Sequence, residues 1–284
     1  MNKLIALVDG SVYTQSVCDH AAWIAKRTGS TVDLLQVIGR RETDSAPANL
    51  SGSITLGART ALLEELSALD EQRAKLFQKR GRAILDDAKA SLEAAGVNDV
   101  TARLRTGDIV ETVAEREAEA DMVVIGKRGE AADFAGLHLG SNLERIVRTC
   151  RKPVFVAARA FRPIETFLIA YDGGASSLKA VDHVARDPLF AGLQCHLLMA
   201  GADTGETRNR LDEARRRLEA GGLAVDAAIV DGQAETVIAQ AVESDGIDLL
   251  VMGAYGHSRI RSLIIGSTTS EMLRSCKIPV ALFR

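Results

Sequence analysis

The stretches DMVVIGKRGEAADFAGLHLGSNLERIVRTCRKPVFVAA (121–158) and IDLLVMGAYGHSRIRSLIIGSTTSEMLRSCKIPVALFR (247–284) carry one design twice. In each, a short apolar run ends at a glycine, Gly126 or Gly253, and a second glycine follows at Gly129 or Gly256. The loop closes on Gly140-Ser141 or Gly266-Ser267, a helical pattern begins, and Cys-x-x-Pro leads into another apolar run. Ser141-x-x-Glu144 and Thr268-x-x-Glu271 have the form of capping boxes, which makes Ser141, and Ser267 or Thr268, the expected N-caps. Strand, loop, helix and strand in this order is the crossover unit of a parallel sheet.

Upstream of each stretch the alternation continues. Apolar runs at 4–9, 32–38, 100–105, 122–126 and 153–158 are followed by a second series at 167–172, 195–200, 224–230, 247–253 and 279–284. Runs apolar on both faces and separated by helices suit a buried parallel sheet. Asp9-Gly10 and Asp19-His20 recur as Asp172-Gly173 and Asp182-His183, and Glu111-Thr112-Val113 recurs as Glu235-Thr236-Val237. The expected fold is therefore α/β, with two tandem doubly wound domains at 1–160 and 165–284, each a five-stranded parallel sheet flanked by helices. A polar loop and a long helix from about Arg59 to Ala95 enlarge the first half, an insertion at about 40–95, with a leucine stripe that Gly81 is expected to interrupt. The main expectation for this helix is that it covers its own sheet, and the alternative is a lid or a dimer contact.

With 284 residues, 46% hydrophobic and 26% charged, the chain is long enough for two globular domains. A net charge of −3 and 4% aromatic residues argue against nucleic acid as a partner, since neither clustered cations nor stacking platforms are on offer. The N-terminal apolar run stops at Asp9, too short for a secretory core or a membrane span, and a cytoplasmic, membrane-free protein is expected. The four cysteines, Cys18, Cys150, Cys195 and Cys276, show no paired spacing and read as reduced and mostly buried.

Both glycine loops deliver the chain to a helix N-terminus at the carboxyl edge of the sheet, where free N–H groups and the helix dipole favour an anion. Open α/β sheets bind ligands where strand order reverses, between strands one and four, which puts Asp9 and Asp172 beside the two loops. Each aspartate reads two ways: as a ligand for a ribose hydroxyl or a magnesium ion, or as a cap for the next helix.

These residues resemble the universal stress protein family in its tandem form. Gly253, Gly256 and Gly266-Ser267 match the family's G-x2-G-x9-G-(S/T), and VDG, YDG and the Pro-Val openings of the fifth strands agree. The resemblance implies ATP as the ligand, with Asp172 at the ribose or metal and the backbone of Met199 reading adenine. It also implies Gly253 and Gly256 along ribose and phosphates, with Gly266, Ser267 and Thr268 on the phosphates. In the first half the implied counterparts are Asp9, Val37, Gly126, Gly129, Gly140, Ser141 and Asn142. That half departs from the pattern, with ten residues between Gly129 and Gly140 and with Asn142 in place of a hydroxyl, so the second half is the expected ATP site.

No Ser-His-Asp order or metal-ligand cluster stands out, and turnover beyond slow ATP hydrolysis is not expected. The leading reading is an ATP-binding stress-response regulator. An interaction module that binds no nucleotide and an ATP-consuming enzyme are its alternatives. The apolar fifth strands, PVFVAARAF and PVALFR, are edges that need covering, so the halves are expected to pair through them, with a homodimer as a further expectation.

Overall fold

The computed structural model describes residues 2–39, 56–129, 140–254 and 266–284, with only the backbone described for 56–61. Gly256 and His257 lie outside the described residues. The first half comprises β1 (Lys3–Leu7), α1 (Thr14–Thr28), β2 (Thr31–Gly39), α2 (Leu56–Ala94), β3 (Val100–Gly107), α3 (Ile109–Arg116), β4 (Met122–Gly126), α4 (Ser141–Thr149) and β5 (Val154–Ala157). The second comprises β6 (Thr166–Ala170), α5 (Ala175–Val184), β7 (Gln194–Ala200), α6 (Gly205–Ala220), β8 (Ala224–Val230), α7 (Ala234–Ser244), β9 (Leu249–Gly253), α8 (Ser267–Ser275) and β10 (Val280–Phe283).

The strands form one ten-stranded sheet in the order β3-β2-β1-β4-β5-β10-β9-β6-β7-β8. Read inward from either edge, the order within a half is 3-2-1-4-5, all parallel. The one antiparallel junction is β5 with β10, which sets Val156, Phe155 and Val154 opposite Val280, Ala281 and Leu282. Each fifth strand thus covers the edge the other would expose. Two apolar layers line the sheet, and each crosses both halves. One gathers α1, the C-terminal part of α2, α5 and α6, and the other gathers α3, α4, α7 and α8.

The repeated Asp-His pairs explain themselves at this junction. His20 packs on Phe155 of β5, with ring centroids 5.5 Å apart, and His183 packs on Phe283 of β10 at 4.9 Å. Burial holds the His20 imidazole below its ordinary pKa, and its Nδ1 lies 2.6 Å from the Ser16 carbonyl oxygen. These are packing residues.

All four cysteines are free and buried. Burial pushes the thiols of Cys18, Cys150 and Cys195 up to about 12 and raises that of Cys276. Only the thiolate attacks a disulfide reagent. Native protein at pH 8 is therefore expected to react with Ellman's reagent slowly, at well under one equivalent in the time that denatured chain releases four.

Gly81 does not interrupt α2, which runs unbroken through it. A Cβ at Gly81 would stand 2.7 Å from Leu104 Cδ1, so the glycine lets the helix lie directly on β3. From there onward Leu85, Ala88 and Leu92 are buried, and this part covers the sheet as expected. Before Gly81 the helix leaves Leu62, Leu63, Leu69 and Leu76 exposed.

Candidate nucleotide site

The order of strands reverses between β6 and β9, and a cavity of about 190 Å³ opens beyond their carboxyl ends. Its floor is apolar, from Ala170, Leu198, Ala200, Ala234, Ile238 and Met252. Its polar wall is Asp172, Ser177, Gly253 and the start of α8, Gly266 to Thr269. Of the sequence-expected residues in this half, Asp172, Gly253, Gly266, Ser267 and Thr268 meet at this one cavity.

Helix α8 begins differently from the capping-box expectation. Its N-cap is Gly266, and no side chain caps it. The first half agrees, with Gly140 as the uncapped N-cap of α4. Helices α1, α5 and α7 also lack a side-chain cap, while α3 is capped by Asp108 and α6 by Thr204, whose side chains accept first-turn N–H bonds. An N-terminus without a side-chain acceptor, facing a cavity, is a place for an external anion. Two nearby hydroxyls have internal partners: Thr268 donates to Glu235 Oε1 at 2.7 Å, and Thr269 donates to the Gly253 carbonyl at 3.2 Å. The bond from Thr268 holds the Glu235 carboxyl below its ordinary pKa. Ser267 at N1 and the first-turn N–H groups are thus the donors in position to meet an anion. Glu235 was visible in the sequence only as a repeat landmark, and its part in orienting Thr268 needed the fold.

Asp172 is a turn residue ahead of α5, whose N-cap is Gly174 with no side-chain cap. Its Oδ1 accepts from Gly174 N at 2.8 Å and from Ser177 Oγ at 2.6 Å, which shapes the entry to α5, while the side chain borders the cavity. The Gly173 that follows has φ +72° and its counterpart Gly10 has φ +76°, so the repeated Asp-Gly marks a turn that needs glycine. Gly253 is glycine for space: a Cβ there would stand 2.4 Å from Ser176 Oγ and 3.0 Å from Ser177 N.

Strand pairing corrects one equivalence. Leu35 pairs with Leu7 and Leu198 with Ala170, so Val37 corresponds to Ala200, and Met199 corresponds to Gln36. The Met199 side chain belongs to the apolar layer on the opposite face from Leu198, and Ala200 is the residue that borders the cavity.

The first half repeats the framework with larger side chains. Where Ser176 faces Gly253, the buried Tyr13 faces Gly126, and a Cβ on Gly126 would come within 2.7 Å of Tyr13 Cβ. Leu7, Val37, Val110 and Leu143 stand at the positions of Ala170, Ala200, Ala234 and Thr269. Helix α2 adds a cover, with Ile84 Cδ1 2.5 Å from where a Gly10 Cβ would be. Asp9 accepts from Ser11 N at 3.0 Å, as a turn residue does, and its Oδ2 lies 2.9 Å from where a Gly129 Cβ would stand. Asp9, Gly126, Gly129 and Gly140 are thus gathered, with Ser141 following Gly140, among larger side chains than in the second half. Asn142, the counterpart of Thr268, follows Ser141 in the first turn of α4. Lys127 is buried, and its ammonium donates to the carbonyl of Cys276 at the end of α8. Burial lowers its pKa to about 8. Lys127 therefore joins the halves.

Fold and cavity together define a doubly wound α/β protein with an anion-favouring cleft at its switch point. The family model described as "Universal stress protein family" matches residues 1–158 and 196–284. The chain belongs to the universal stress protein family. It is 38% identical over 287 residues to universal stress protein Slr1230 of Synechocystis, covering 100% of both chains. It is also 24% identical over 306 residues to universal stress protein Rv1996 of Mycobacterium tuberculosis, covering 99% of this chain and 94% of that one. The crystal structure of a universal stress protein from Archaeoglobus fulgidus has the same fold, with a TM-score of 0.75 at 19% identity, covering 100% of this chain and 98% of that one. No helix among the described residues is long and apolar enough to cross a membrane.

Proposed function

We propose that this chain is an ATP-binding regulator of the stress response, organised as domains 1–160 and 165–284, with its nucleotide site in the second. The observation that carries the reading is the uncapped N-terminus of α8 at a cavity that also holds Ser267, Gly253 and Asp172. These residues fit a nucleotide. The first-turn N–H groups and Ser267 would take phosphate oxygens, Gly253 would allow close approach, and Asp172 would sit near the ribose hydroxyls or a magnesium ion. The apolar floor at Leu198, Ala200 and Ile238 suits a purine, whose edge the β7 backbone near Met199 and Ala200 would read. Gly256 belongs to the same proposed loop.

Helix α8 supplies a route from site to surface. Its first residue borders the cavity, and the carbonyl just past its end accepts from Lys127 of the first half. Phosphate at one end of α8 would bias the contact at the other, a two-state coupling available to a partner protein in the cytoplasm. Turnover forms no part of the proposal. Equilibrium dialysis of the full chain against labelled ATP with magnesium tests it. Saturable binding that unlabelled ATP displaces is expected, and folded protein that retains no label at millimolar ATP would refute the reading.

A further inference from the structure

The long helix α2 raises a separate question. Its 39 residues extend about 58 Å, and the part before Gly81 presents leucine to solvent: Leu62 at 39% exposure, Leu63 at 49%, Leu69 at 55% and Leu76 at 67%. Positions 62, 66, 69, 73, 76 and 80 advance by alternate steps of four and three, the seam of a coiled coil, and four of the six are leucine. The charges are sorted along the same stretch. Residues 62–71 hold Glu64, Glu65, Asp70 and Glu71 and no cation, while 72–82 hold Arg73, Lys75, Lys79, Arg80 and Arg82 and no acid. The helix dipole does not account for this, because its influence fades within the terminal turns and α2 ends at Leu56 and Ala94.

We infer that this segment is a self-association surface, on which a second copy of the chain lays its own α2 antiparallel. Pairing centred on Glu71 sets Leu66 against the partner's Leu76 and Glu65 beside the partner's Lys79. It also sets Leu63 beside the partner's Phe77, and every contact occurs twice by symmetry. A parallel pair would stack acid on acid and base on base along the whole stretch, whereas the antiparallel pair does so only at its centre, where Asp70 meets its own symmetry mate. A membrane surface is a poor occupant, since lipid-binding helices flank their apolar face with cations, and here Leu62 to Leu69 are flanked by carboxylates. The fifth strands are already paired within the chain, so the sheet junction is not free to make this dimer.

Sedimentation of the full chain should give a concentration-dependent mass approaching twice 30.3 kDa. Leu69→Lys with Leu76→Lys changes only exposed side chains and should weaken the dimer by at least about 100-fold without altering the circular dichroism. Glu65→Lys should weaken it, and adding Lys79→Glu should restore it, which a merely greasy surface would not reproduce. The four native thiols are buried, so introduced cysteines report orientation. Oxidation should cross-link a mixture of Leu66→Cys and Leu76→Cys chains and neither chain alone. A monomer at all concentrations, a dimer indifferent to Leu69 and Leu76, cross-linking of Leu66→Cys with itself, or binding to anionic vesicles in place of dimerisation would overturn the inference.

Discussion

Ser267→Asp should reduce ATP affinity by at least about 100-fold while leaving the protein folded and slightly more stable. Ser267 is the first helical residue of α8, at the wall of the cavity, and Gly266 before it offers no side chain to the free N–H groups. A carboxylate there interacts well with the helix dipole, by about 0.3–1 kcal/mol, so the fold gains. The same carboxylate stands where phosphate oxygens are expected. Two unit charges 4 Å apart near a protein surface repel by about 4 kcal/mol, and the phosphates carry more than one charge. The first half supplies the control. Ser141→Asp makes the same change at the start of α4, beside the space that Tyr13 and Leu143 crowd, and should leave ATP affinity within about twofold. Calorimetric titration of both variants, with melting curves, separates a lost site from a lost fold.

The second large effect concerns stability. Asp33 on β2 has a side chain only 1% exposed, and it is held by Arg103 Nε and Arg116 Nη2 at 3.0 Å each, by Lys3 Nζ at 3.8 Å and by Thr101 Oγ1 at 2.9 Å. Removing one member of a buried ionic cluster leaves the others uncompensated, at a cost of about 3–5 kcal/mol. Here the cations are part-exposed and can turn toward water, so Asp33→Ala should cost about 3 kcal/mol, near the lower end. For a chain of this size that lowers the melting temperature by roughly 5 °C. At the equivalent place on β7 stands His196, which lies 4.0 Å from the exposed Asp226. His196→Ala should cost well under half as much, measured in the same denaturation experiment.

Much of the fold was legible because the chain states it twice. Strand positions, the duplication, the switch-point location and the pairing of fifth strands all follow from short apolar runs and repeated landmarks. The register of β2 and β7 was not legible. Those strands are buried on both faces, so no alternation of apolar and polar residues tells which face a residue takes, and Val37 was matched to Met199 in place of Ala200. The capping boxes misled for a related reason. Ser141 stands three residues before Glu144 and Thr268 three before Glu271, but the N-caps are glycines, one residue before Ser141 and two before Thr268. Gly81 reads as a helix breaker until Leu104 is seen to fill the place of its missing side chain. The contrast of Tyr13 with Ser176 was hidden most completely, since neither lies in a motif and each matters only through the glycine it faces.

Native mass spectrometry of the chain with increasing ATP, alone and as Ser267→Asp, counts the nucleotides each chain holds. The 30.3 kDa chain is expected to take up one nucleotide and the variant none at the same concentration. Two nucleotides per chain, none at all, or one that Ser267→Asp fails to displace would contradict it.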